Sequence, residues 1–385
     1  MDYAKLEDVV AGAGMLRLRT RLEPMGAGGL VYPPTYDQGK HIFRKAWLDG
    51  EVRDVVVLDS PQSQANRVED ALLAAMGRGE LAYPDIVVEV PRRDGEVERY
   101  SVLQLSHRIY DAVLLATELG GRPFPKTDIG RAIYKARVDA AGPLFEHAPV
   151  TLVLGGWDSH SGGGPLSAKI PRILTAEIIG VDALPARRGA VKFDPMDIRK
   201  DAGPLYASED PDRLFELDPR QAADKKKKDP SEFGFGNVPA LEERGAVIRY
   251  AVQNAYISLP AARRIAFKGS DGRLDEGRER AGRAAVVALG LYGLALQREA
   301  GYSLRSGCDL LPVEAGRLEV LSPDGGVSDR WELSADGARR LLAEALEAAA
   351  AHGLRWRAEP LTLTADERLQ QLVERSRAAR TPEEG

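Results

Sequence analysis

Residues 53–77 read RDVVVLDSPQSQANRVEDALLAAMG, a strand that runs straight into a helix. The β-branched run at 53–58 fits a buried strand bounded by turn residues. Asp59 and Ser60 offer an N-cap, and Pro61 suits the first helical position, where its missing N–H costs nothing. Ala65, Val68, Leu72, Ala75 and Met76 then recur at helical spacing and give one apolar stripe to about Gly77. Gln62, Asn66 and Arg67 lie off that stripe near the helix start. Free N–H groups with an Asn and an Arg beside them can hold an anion. Ordinary capping on a solvated surface explains the same residues.

Outward from this unit the pattern stays mixed. Upstream, MLRLRTRL at 15–22 alternates apolar and basic residues. As a strand it puts Leu16, Leu18 and Leu22 on one face and Arg17, Arg19 and Arg21 on the other. That basic face is either solvated or turned toward a polyanion. Between the two strands, EPMGAGGLVYPPTY reads as a loop or flexible hairpin, because Pro33 and Pro34 forbid a central strand. It carries Tyr32, Tyr36, Lys40, His41, Arg44, Lys45 and Trp47, a mixture that suits stacking and phosphate contact as well as burial. Downstream, 85–103 predicts two strands joined by an Asp94-Gly95 turn. Helices are predicted over 106–120, opening on His107 and Arg108, and over 128–138. VTLVLGG at 150–156, with Trp157 following, reads as an apolar strand. A further strand is predicted over 245–259, a long Ala-rich helix over 276–299, a strand over 317–323, and helices over 335–351 and 365–379. Strands and helices do not strictly alternate, so the fold class is α+β and not a doubly wound sheet.

The chain has 385 residues and is 44% hydrophobic, enough for a large core. Its single cysteine, Cys308, permits no internal disulfide and fits a reducing cytoplasm. No segment approaches the roughly 18 apolar residues of a membrane helix, and the acidic start MDYAKLEDVV is unlike a signal peptide. No membrane association is expected. The net charge of −5 speaks against a uniformly basic surface, so any phosphate site must be local. Residues 200–243 are rich in charge, Pro and Gly and read as an exposed, mobile insertion carrying Lys225 to Lys228.

Catalytic chemistry finds little footing. The five histidines form no zinc pattern, no GxSxG elbow is present, and no metal or cofactor is expected. Trp157-Asp158-Ser159-His160 sets catalytic residue types side by side, but triads are assembled in space from separate elements, so this reads as a turn. The loop from Gly155 to Pro165, GGWDSHSGGGP, is followed by Lys169 and Arg172. Its glycines Gly162, Gly163 and Gly164 allow a ligand close backbone approach, and a long tight turn requires the same residues. Arg108 can meet a nucleotide or pair with Asp111 or Asp59.

Four strings in order, LRLRTRLEPMGAGGLVYPPTY, VVLDSPQSQANRVEDALL, HRIYDAVL and LVLGGWDSHSGGGPLSAKIPRILTAEIIG, resemble one family. It is the backbone subunit of the type I-G (formerly I-U) CRISPR Cascade, within the RAMP superfamily; the likeness is close over residues 15–182. The resemblance implies an RRM-like, ferredoxin-type palm with large insertions that form thumb and finger elements. It implies a palm over 1–330 with a candidate thumb at 26–52, the charged insertion at 200–243, and a C-terminal helical extension at 331–385. It implies several copies along one CRISPR RNA, with target DNA read through guide pairing. Other Cascade subunits and a recruited helicase-nuclease would be partners, and no catalysis belongs to the chain itself. On this reading Arg17, Arg19, Arg21, Asn66, Arg67, His107, Arg108, Trp157, Ser159, Gly162, Gly163, Gly164, Lys169 and Arg172 are the candidate RNA contacts. No aromatic RNP signature is present. Related type III subunits cleave RNA with a loop aspartate, which makes Asp37, Asp59 and Asp158 the residues of a rival reading, a metal-dependent RNase. A second rival is a small-molecule enzyme built on Asp158, Ser159 and His160.

Overall fold

The structure, a computed structural model, describes residues 2–36, 39–158, 169–189, 193–199, 201–210, 213–223, 225–236, 241–242, 244–269 and 271–378. The chain divides into two compact units, residues 1–184 with 246–366, and residues 185–245 with 367–385.

The first unit is built on a nine-stranded sheet in which every neighbouring pair is antiparallel. Strand Met15–Pro24 lies at its middle. On one side it pairs with Tyr250–Ser258, which pairs with Leu174–Val181, then Glu51–Asp59, then the edge strand Phe43–Leu48. On its other side Cys308–Pro312 and Arg317–Leu321 share its length. The alternation predicted for 15–22 holds: Leu16, Leu18 and Leu22 are fully buried. Helix Pro61–Gly77 starts on the Ser60 cap with Pro61 in its first turn, as its sequence requires. It packs with helix Glu276–Glu299, which in turn packs against helix Ala335–Ala351. Gly293 permits the first contact, since a Cβ there would sit 2.7 Å from Val68. A second sheet joins Val97–Ser101, Ile86–Pro91, Leu361–Ala365, Thr117–Leu119 and Arg122–Pro123.

The buried sheet face holds a polar chain. Gln253 donates to Gln64 and Gln297 at 2.8 and 2.9 Å. Its carbonyl accepts from Tyr302 at 2.7 Å, and Arg298 reaches Thr20 at 2.5 Å. Gln64 donates to Asp59 at 2.5 Å, which also accepts from Ser63 at 2.6 Å and Arg67 at 2.9 Å. Buried polar groups persist where they are satisfied in this way.

Two expectations are corrected. Residues 106–120 are not an α-helix but short 3₁₀ turns at Arg108–Tyr110 and Ala112–Ala116, then strand Thr117–Leu119. Asp111 accepts from the backbone of both His107 and Val113 at 3.0 Å, which competes with helix formation. Arg108 at φ 53° breaks helical backbone outright. Residues 150–157 are not a strand but the buried helix Val150–Leu154, ended by Gly155 at φ 80°, and the short strand Gly156–Trp157. A wholly apolar run carries no period by which to tell the two apart.

The second unit contains the whole of the predicted charged insertion. Phe215 stacks edge-on against Phe235 and packs on Phe233. Strand Tyr206–Ala207 pairs with Phe215–Glu216. Of the four lysines, Lys225, Lys226 and Lys227 are exposed, while Lys228 is buried with its ammonium 5.5 Å from the Phe233 ring. Helix Glu367–Ala378 belongs to this unit.

Candidate nucleic-acid interface

The sheet face opposite the packed helices carries the predicted arginines. Residues directly across an antiparallel pair share a face. Arg17 therefore stands beside Tyr256 and Thr175, Arg19 beside Asn254 and Glu177, and Arg21 beside Val252 and Ile179. At one end Val55, Ile179, Val181 and Val252 close into a small apolar cluster. Elsewhere the face is polar, and Arg19 and Asn254 are exposed.

Each arginine has a counter-group at the surface. Arg17 makes a two-nitrogen contact to Glu319, at 3.0 and 2.7 Å. Arg19 meets Asp49 at 3.0 Å and Arg44 meets Glu177 at 2.7 Å. The Arg21 guanidinium lies 4.3 Å from the centre of the Tyr250 ring. The side chains of Arg17 and Arg19 are each 42% exposed. Exposed pairs of this kind contribute about 0–1 kcal/mol, so an arriving phosphate can replace the carboxylate at little cost. The Arg17 guanidinium holds the Glu319 carboxyl below its ordinary range.

The residues along helix Pro61–Gly77 behave differently. Arg67 donates to buried Asp59 at 2.9 Å and to the Leu304 carbonyl at 2.7 Å, so it faces inward. Arg108 grips Glu69 through two nitrogens, and their side chains are only 14% and 5% exposed. Burial pushes the Glu69 carboxyl up, against the pull of Arg108. Arg172 donates to the carbonyls of Leu154 at 3.1 Å and Pro61 at 3.0 Å. Burial, and then the like charge of Arg108, push its guanidinium down. Asn66 and His107 are exposed.

Strand Gly156–Trp157 pairs with Lys169–Ile170. This sets the Lys169 ammonium 5.5 Å from the Trp157 ring centre, with the indole 61% exposed. The glycines here are steric requirements: a Cβ on Gly155 would meet the Arg172 backbone at 2.9 Å, and one on Gly156 the Tyr110 ring at 2.8 Å. Ser159, Gly162, Gly163 and Gly164 lie outside the described residues, as do His160 and Asp37.

The structure thus sets Arg108 and Arg172 against helix Pro61–Gly77 and Trp157 beside Lys169, with Arg17, Arg19 and Arg21 on the open sheet. Tyr256 stands between them: it neighbours Arg17 and acts electrostatically on Arg172. Reading the sequence alone passed over Tyr256 and Asn254. Their signal was the alternation in YAVQNAYIS, which has meaning only once that strand is placed beside Met15–Pro24. Asp59 and Asp158 are both buried, Asp59 with its carboxylate occupied as above. Among the described residues no three His, Cys, Asp or Glu side chains gather as metal ligands would, and no helix is long and apolar enough to cross a membrane.

Residues 16–185 match the family model of CRISPR-associated protein GSU0053. The matched region contains every candidate contact that the sequence singled out. No curated protein matches the chain. One solved structure, Csc2 of Thermofilum pendens, aligns at 13% identity over 96% of this chain and 78% of its own, with a TM-score of 0.29.

Proposed function

We propose that this protein is the CRISPR RNA-binding backbone subunit of a type I Cascade complex, of the type I-G kind, which polymerises along the guide and presents it to target DNA. The observation that carries the reading is the match to a CRISPR-associated family over residues 16–185. The arrangement within that region supports it, because arginines in weak surface pairs on an open sheet suit phosphate binding without base readout. On this reading the large antiparallel sheet with its helices on one side is an RRM-like palm. Guide phosphates exchange with Glu319, Asp49 and Glu177 for Arg17, Arg19 and Arg44. Lys169 and Arg172 extend the track, and cutting is left to a recruited helicase-nuclease. The protein works in the cytoplasm.

Assembly belongs to the segment 26–52. Trp47 at the tip of the edge hairpin is 76% exposed beside the exposed Val52. Copies meeting head to tail form an open filament unless the rotation closes it. Excising this segment is a poor test, since Val31 within it is fully buried. Trp47→Ser is the better one, and it should leave a folded protein whose oligomers no longer grow with guide length.

The test of the whole reading is expression beside a CRISPR array. Purified protein should carry RNA of uniform length, left intact in magnesium or manganese. Recovery without RNA would overturn the reading, and specific cleavage lost in Asp59→Ala or Asp158→Ala would favour the RNase instead.

A further inference from the structure

The central strand Tyr250–Ser258 presents Tyr250, Val252, Asn254 and Tyr256 to the open face, by the alternation of a strand and its register with Met15–Pro24. Two of these four are accounted for: Val252 is buried in the apolar cluster, and Tyr250 is covered by the Arg21 guanidinium. The side chains of Asn254 and Tyr256 have no hydrogen bond, ring contact or cation–π contact among the described residues. Asn254 is exposed and Tyr256 half-buried. Polar and aromatic groups at the middle of a large sheet ordinarily find partners within the protein. Here neither is stacked or hydrogen-bonded among the described residues, and their neighbours across the strands are Arg17 and Arg19 on one side and Thr175 and Glu177 on the other.

We infer that Tyr256 and Asn254 form a nucleotide platform for single-stranded RNA, Tyr256 stacking one unpaired base and Asn254 hydrogen-bonding its edge. The two side chains stand about 7 Å apart along one strand, so a base stacked on the ring brings its edge to the amide. Arg17 and Arg19, one strand over, take the flanking phosphates. Stacking on an aromatic ring tolerates any base, because every base has a π-face. The platform therefore fixes where along the palm a nucleotide sits without selecting which one. An amide can serve as donor or acceptor, which keeps the contact indifferent to sequence. This is an aromatic platform without the RNP pattern, reached by strand pairing.

The inference rests on the proposed RNA-binding function, and the experiment separates the two. Binding of a labelled single-stranded RNA of mixed sequence is compared with binding of the same backbone made of abasic nucleotides. The parent protein, Tyr256→Leu, Tyr256→Phe and Asn254→Ala are each titrated at one salt concentration. The expected result is a loss of about tenfold for Tyr256→Leu on normal RNA. Tyr256→Phe should bind like the parent, Asn254→Ala more weakly, and all four alike on abasic RNA. If Tyr256→Leu binds normal RNA like the parent, or loses as much on abasic RNA as on normal RNA, the platform is overturned while phosphate binding stands. If the parent binds neither RNA, the proposed function falls and the platform with it.

Discussion

Two groups of arginines lie within the same family-matched region and differ in what surrounds them. Arg17, Arg19 and Arg44 sit on an open sheet, in pairs that water reaches. Arg67 and Arg108 sit along helix Pro61–Gly77, against carboxylates that water barely reaches. The residue type is the same and the sequence marks all of them as candidate contacts. Burial of the partner decides their roles, because an exposed pair can be exchanged for a phosphate and a buried one holds the fold.

The largest effect should come from breaking the buried pair. Arg108→Ala strands the Glu69 carboxylate and should cost about 3–5 kcal/mol in urea unfolding at neutral pH. The deficit should shrink on acidification, because burial already raises the Glu69 carboxyl and a protonated Glu69 no longer needs its partner. A variant that unfolds like the parent but loses RNA would reverse the comparison. A smaller effect is expected from Lys169→Ala beside exposed Trp157: RNA affinity should fall a few-fold, about one phosphate contact, with no change in unfolding midpoint. An equal loss of stability would show that the pair is structural.

The smallest effect concerns protons. Arg17 depresses the Glu319 carboxyl below its ordinary 4.5. Stability from that pair is therefore present above pH 4.5 and is lost as pH falls through the folded value. Glu69 is raised, so its ionisation opposes folding, and its contribution weakens as pH rises through the window above 4.5. Side-chain titration by NMR should show Glu319 moving up toward 4.5 in Arg17→Ala, and also when RNA takes Arg17 away from it. No movement on RNA binding would mean that the pair is not exchanged.

Much of this was legible from the sequence. The cap at Ser60, the helices over 276–299 and 335–351, and the alternating strand at 15–22 are set by neighbours in the chain, and local pattern reveals those. What escaped was either local without a legible pattern or dependent on distant residues. Asp111 broke an expected helix by accepting from the backbone N–H groups of His107 and Val113, and the apolar run at 150–154 carried no period. The pairing of Arg67 with Asp59 and of Arg108 with Glu69 required two elements to meet. Asn254 and Tyr256 acquired meaning only from their register against Arg17 and Arg19.

The central claim is that the open sheet face binds guide phosphates. Its most direct test is the slope of log affinity for single-stranded RNA against log salt concentration, measured for the parent and for Arg17→Gln/Arg19→Gln. The parent's affinity should fall roughly tenfold or more between about 50 and 200 mM salt, and the double variant should flatten the slope by about 0.7 for each phosphate contact removed, with its unfolding midpoint unchanged. A parent that binds with no salt dependence, or a double variant with the parent's slope, would contradict it.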